Sequence, residues 1–174
     1  MSSLVLLKKT TVENCAKIQV VNIFNSDYDV YKLVFTNATG TQSSGINIRY
    51  ITDDGNVDSS SNYDQALQDL RGNVDPAEYS EENETDFEGW ATTTYSNANT
   101  NNAGTTYVFS PYNSSSYTFH SAHNIRADGS SMGSENSIGV YTQANIVTGF
   151  EARGGNASLI ISSLTIKVYG VRSS

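Results

Sequence analysis

The run Asp53-Asp54-Gly55-Asn56-Val57-Asp58 places carboxylates and an amide around a glycine turn. Hard oxygen ligands of this kind suit Ca²⁺, which makes Asp53, Asp54 and Asp58 calcium candidates. The run lacks the alternating ligand spacing and the distal Glu of an EF-hand loop, so a plain β-turn is the stronger reading. The histidines His120 and His123 are separated by an odd number of residues. On an extended strand that puts them on opposite faces and disfavours a shared metal within one chain. Copies of one histidine gathered at a three-fold axis are the remaining route to such a site.

Glu78, Glu81, Glu82, Glu84, Asp86 and Glu88 form a dense acidic stretch. A glycosidase needs two carboxyls at a fixed separation, one of them desolvated. A crowded acidic loop is ordinarily solvated, so the enzyme reading is the weaker one. Trp90, Tyr95, Tyr107, Tyr112, Tyr117 and Tyr141 are the recognition candidates, because exposed rings stack on sugar faces or anchor protein contacts. Of these, Trp90, Tyr95, Tyr112 and Tyr117 are the first choices for a carbohydrate or receptor contact. The competing reading is that most of these rings fill a core or its rim. The single cysteine, Cys15, excludes an internal disulfide and reads as a small buried apolar residue. No nucleophile elbow, phosphate loop, dinucleotide fingerprint or paired-cysteine motif is present.

Candidates of this kind need a frame to hold them. A chain of 174 residues suggests one domain, residues 1–174, with a core of useful size. Its formal charge of -8 leaves no basic patch, and Lys8-Lys9 is the one adjacent basic pair, so nucleic acid is not an expected partner. Leu4, Val5, Leu6 and Leu7 are too short a run for a signal-peptide core, and the positive charge follows them rather than precedes them. No stretch is long enough to span a membrane as a helix. These features suggest a product made inside the cell and assembled or released later.

Alternation of apolar and polar residues predicts strands at Ser3–Lys9, Lys17–Phe24, Tyr28–Phe35, Gly45–Thr52, Phe87–Tyr95, Thr105–Phe109 and Ser116–Arg126. Three further runs, between Ile138 and Arg172, suggest a closing meander. Asn37–Gly40 reads as the end of a strand, and Thr10–Asn14 as a link. Ala66, Leu67 and Leu70 stand at helical spacing before Gly72, which predicts one short helix over 63–71. Asp75–Asp86, Asn97–Gly104 and Ala127–Asn136 read as loops. The sum is an all-β fold, an antiparallel jelly-roll-like β-sandwich with that one helix.

Several phrases follow one another in order along the chain. They are Ser26-Asp27-Tyr28-Asp29-Val30-Tyr31-Lys32-Leu33-Val34-Phe35, Ser59-Ser60-Ser61-Asn62-Tyr63-Asp64, and Val108-Phe109-Ser110-Pro111-Tyr112-Asn113 running on to Phe119. Ile138-Gly139-Val140-Tyr141, Val147-Thr148-Gly149-Phe150 and Leu164-Thr165-Ile166-Lys167-Val168-Tyr169-Gly170 close the series. In this order and spacing they resemble a family of tailed-bacteriophage virion proteins, from phages of cyanobacteria and other marine bacteria. The resemblance implies a non-enzymatic structural protein, fibre-like or decorating the particle surface as a fibre head, collar or capsid decoration. It implies no catalytic residues and no cofactor. It also implies a place in the virion after synthesis in the bacterial host cytoplasm.

The partners then expected are other capsid or tail proteins and further copies of the chain, a homotrimer being favoured. The alternative is a receptor- or carbohydrate-binding module of a tail fibre, with a host surface glycan as ligand. Leu4, Val5, Leu6 and Leu7 are the candidate docking strand, adding to the edge of a partner's sheet.

Overall fold

The structure is a computed structural model and describes residues 3–72, 74–94, 102–127 and 132–172, without the side chain of Trp90. Among the described residues the chain forms twelve strands and no helix. They are β1 (Ser3–Cys15), β2 (Lys17–Val20), β3 (Val30–Gly40), β4 (Ser44–Thr52), β5 (Tyr63–Arg71) and β6 (Val74–Glu84). The later ones are β7 (Phe87–Thr94), β8 (Asn102–Phe109), β9 (Thr118–Ala127), β10 (Met132–Tyr141), β11 (Val147–Gly154) and β12 (Ile161–Arg172). One sheet has eight strands in the order β1-β12-β3-β8-β9-β10-β5-β6; the other has four, β2-β11-β4-β7. The named strand pairings are antiparallel.

The sandwich-like core follows from the strand period. Tyr31, Leu33 and Phe35 of β3 and Leu164, Ile166 and Val168 of β12 point inward from the large sheet. Ile46, Ile48 and Tyr50 of β4 and Phe150 and Ala152 of β11 meet them from the small one. The Phe35 and Phe150 rings meet edge to face across the gap, with centroids 6.3 Å apart. The layers approach closely at Gly104, where a Cβ would lie 2.0 Å from the Ala91 carbonyl oxygen.

The short helix expected over 63–71 is strand β5. Tyr63, Gln65 and Asp69 are buried while Gln68 and Leu70 are exposed. The ladder has partners on both sides, β6 and β10, and that pairing overrides a local helical spacing. The Tyr63 hydroxyl fixes the start of the strand: it donates to the Asp58 carbonyl at 2.8 Å and accepts the Tyr50 N–H at 3.0 Å. The expected loop Asp75–Asp86 is largely strand β6, an edge strand whose acidic residues and Pro76 discourage further pairing.

The expected link at Thr10–Asn14 continues β1 through to Cys15. Asn37 does not end its strand. It takes a φ of 56° where the β3–β8 register slips, and β3 runs on to Gly40. The expected loop Ala127–Asn136 is shorter than the spacing suggested, because β10 begins at Met132. The loop expected at Asn97–Gly104 lies mostly outside the described residues, and Asn102–Gly104 belong to β8.

A four-stranded layer does not span an eight-stranded one. The small sheet ends in β7, so the inner face of β5 and β6 overhangs it. There the inward residues turn from apolar to polar. One inner row reads Gly170, Tyr31, Val108, His120, Gly139, Gln65, Glu81 across successive strands.

Candidate functional site

Two features stand outside the ordinary core: the outer face of the large sheet and the cleft under its β5–β6 overhang. On the outer face, register aligns Leu4, Val171, Val30, Phe109, Phe119 and Val140 in one row over six adjacent strands. At the usual strand spacing this row is roughly 24 Å long. Phe119 is 50% exposed and Phe109 38%, and they face each other across the β8–β9 ladder. The next row continues the surface with Leu6, Tyr169, Lys32, Tyr107, Ser121 and Ile138, the Lys32 ammonium lying 5.6 Å from the centre of the Tyr107 ring. The outer face across β8, β9, β10, β5 and β6 is hollowed into an open groove of about 730 Å³ that includes Tyr107, His123 and Ile138.

The aromatic candidates separate. Tyr112 and Tyr117 are exposed on the β8–β9 connection, beside the Phe109–Phe119 pair. Tyr107 is exposed on the outer face. Tyr141 is fully buried and cannot be a surface contact: its ring packs on Tyr50 and Tyr63, and its hydroxyl donates to Asp58. Tyr95 and the Trp90 side chain lie outside the described part. Leu4 and Leu6 are exposed on the outer face, whereas Val5 and Leu7 are half-buried against the core. All four belong to β1, which already pairs with β12 of its own sheet and offers its other edge.

The acidic turn is occupied by the chain's own donors. Asp54 accepts from the Thr52 hydroxyl at 2.6 Å and from the Asn56 N–H and amide at 2.9 Å, and these bonds hold its carboxyl at about 2. Burial alone would raise the Asp58 pKa. Hydrogen bonds from Tyr141, Ser60 and Asn62 outweigh that and hold it below the usual carboxylate range. Asp54 and Asp58 thus spend their acceptor positions on the fold, and Asp53 donates its backbone N–H to the Ile146 carbonyl. Among the described residues no group of three or more His, Cys, Asp or Glu side chains is placed to hold a metal ion. His120 points into the core and His123 outward, where its Nε2 lies 2.8 Å from the Ser134 hydroxyl.

Sequence reasoning missed the cleft. It measures about 420 Å³ and lies between β5, β6, β9 and β10 above and β7 and the start of β4 below. Asp69, 2% exposed, accepts both bonds of the Arg126 guanidinium terminus at 2.8 Å and is paired with Arg71 at 2.6 Å. Arg126 also pairs with Glu135, whose carboxyl is raised by burial against the lowering pull of that arginine. Nearer the opening, Glu81 accepts from the Gln65 amide at 2.7 Å, and Glu88 lines the same cleft. Burial, then the charges of Glu81, Asp86 and Glu84, raise the Glu88 pKa.

Glu78 faces outward opposite Gln68, and Asp86 is held by Asn47 and Arg49.

No protein-family model matches the chain, and no curated protein matches it. Among solved structures it is similar to the marine PL-14 alginate lyase from Aplysia kurodai, at 8% identity and a TM-score of 0.35, over 95% of this chain and 82% of that one. It is also similar to xylan beta-1,4-xylosidase from Bacillus halodurans C-125, at 6% identity and a TM-score of 0.33, over 94% of this chain and 32% of that one. Likenesses at this level carry no assignment of activity. No helix among the described residues is long and apolar enough to cross a membrane.

Proposed function

We propose that this chain is a non-enzymatic structural component of a bacteriophage virion, built as a jelly-roll-like sandwich. It is made in the bacterial host cytoplasm and assembles on the particle surface as a fibre head, collar or capsid decoration. The observation that carries this reading is the apolar row Leu4, Val171, Val30, Phe109, Phe119, Val140 on an open sheet face. A continuous apolar surface of that length is characteristic of a protein–protein contact. Further copies of the chain, as a trimer, and capsid or tail proteins are the partners. The ordered phrases that resemble tailed-phage virion proteins support the same assignment.

The test is the double variant Phe109→Asp, Phe119→Asp. Both rings are exposed on the outer face and not part of the core, so the fold is retained by circular dichroism while particle incorporation and self-association are lost. Unchanged incorporation would remove the reading.

A second reading, a receptor- or glycan-binding module, is favoured by the exposure of Tyr112 and Tyr117 on one connection. It requires whole-cell or glycan binding that is lost in Tyr112→Ala and Tyr117→Ala with folding intact.

A further inference from the structure

The cleft under the β5–β6 overhang has an unbalanced inner charge. Asp69 and Glu135 are matched by Arg71 and Arg126. Glu81 and Glu88 line the same cleft and have no cation beside them in the salt bridges of the described residues. Gln65, 7% exposed and lining the same cleft, donates through Nε2 to Glu81, while its Oε1 is buried with no hydrogen-bond partner. A buried acceptor left in this way ordinarily costs stability, which makes it an indicator of a missing donor.

The groups left over here are all acceptors: two carboxylates and an amide oxygen. Beside them Leu67 and Tyr79 face each other across the β5–β6 ladder and line the cleft, giving an apolar side wall with an aromatic face. A ligand that fits must bring several donors, a positive charge and a short apolar stem. A bare divalent cation brings no donors and no stem, and the carboxylates are not grouped for one.

We infer that this cleft binds a primary ammonium group on an aliphatic stem, its N–H groups shared among Glu81, Glu88 and the Gln65 oxygen, its stem lying along Leu67 and Tyr79. The three donors of an ammonium match the three acceptors. The charge offsets the two carboxylates, and the Tyr79 ring adds a cation–π contact. The ammonium has two possible sources, a free diamine or the lysine side chain of a partner polypeptide. The inference does not depend on the virion reading.

The test is titration of the intact protein with 1,4-diaminobutane and with an Nα-acetyl-lysine amide, followed by calorimetry and by amide chemical shifts. Saturable binding is expected, with shifts centred on β5, β6 and β7. Tetramethylammonium, which has charge but no donors, should not bind. Glu81→Gln and Glu88→Gln should each weaken binding roughly tenfold. Tighter binding of the diamine identifies a free polyamine as the source, and tighter binding of the lysine amide identifies a polypeptide.

Absence of saturation with both amines, equal binding of tetramethylammonium, or Ca²⁺ binding in place of either amine would overturn the inference. Should a variant fail to fold, the location of the wild-type shifts decides alone: shifts away from the cleft reject it.

Discussion

His120 stands directly across the β9–β10 ladder from Gly139, and its imidazole fills the space that a side chain on that glycine would need. A Cβ at Gly139 would lie 2.2 Å from His120 Cε1 and 2.9 Å from a Phe87 ring carbon. The imidazole in turn packs edge-on to Phe87, with ring centroids 4.3 Å apart. The pair is a fitted joint between the large sheet and β7.

Gly139→Ala should therefore destabilise the fold by about 2 kcal/mol or more, the usual range for overpacking a tight core. Chemical denaturation checks this. Adding His120→Ala to Gly139→Ala should recover part of the loss, so that the two changes are non-additive in a double-mutant cycle. Full additivity would show that the contact is not the cause.

The same histidine predicts a pH dependence. Burial holds its pKa well below the ordinary value of 6.5. The unfolded chain therefore binds the extra proton first. Stability is complete above about pH 6.5 and falls as pH drops from there towards the depressed folded value, by up to about 1.4 kcal/mol per pH unit. Denaturation midpoints of wild type and His120→Gln between those limits should differ in slope by one proton, with the variant flatter.

Asp58 is expected to act as a tyrosine anchor, not a calcium ligand. Tyr141→Phe removes the donor that meets the Asp58 carboxylate at 2.5 Å and should cost about 1–3 kcal/mol, as for other hydrogen bonds to charged groups. Added Ca²⁺ or a chelator should leave the melting temperature of the wild type unchanged. A calcium-dependent rise would contradict this reading.

Asp69→Ala leaves Arg126, which is only partly exposed, without the carboxylate to which its Nη2 donates. Removing one member of such a buried pair typically costs about 3–5 kcal/mol. The loss should be larger than for Glu84→Ala on the exposed edge of β6, measured by the same denaturant titration.

Much of the frame was legible from alternation alone. Tyr31, Leu33 and Phe35 fell on one face as their spacing requires, and His120 and His123 fell on opposite faces. The alternation in β9 did not say which face is inside. Thr118, His120, Ala122 and Asn124 are buried while Phe119 and Ile125 are exposed, the reverse of what hydropathy favours. That inversion depends on which layer covers the strand, and no local pattern carries it. Strand β5 was misread for a related reason. Ala66, Leu67 and Leu70 are spaced like a helix face, yet in the sheet Leu67 turns inward and Ala66 and Leu70 outward. The cleft was invisible because Asp69, Arg126 and Glu135 come from three strands and meet only through register.

The first described strand has its ladder partner in the last: Ser3 pairs with Arg172, and the two strands pair as far as Cys15 and Ile161 with one register shift between Leu6 and Lys8. A ribosome reads out β1 long before β12 exists. Until then Leu4, Val5, Leu6 and Leu7 have no strand beside them. Folding of the large sheet thus waits for β12, with the slow rate expected of contacts so distant in sequence. A stalled chain ending before Ile161 should remain protease-sensitive along β1, whereas a chain that includes β12 should be protected there.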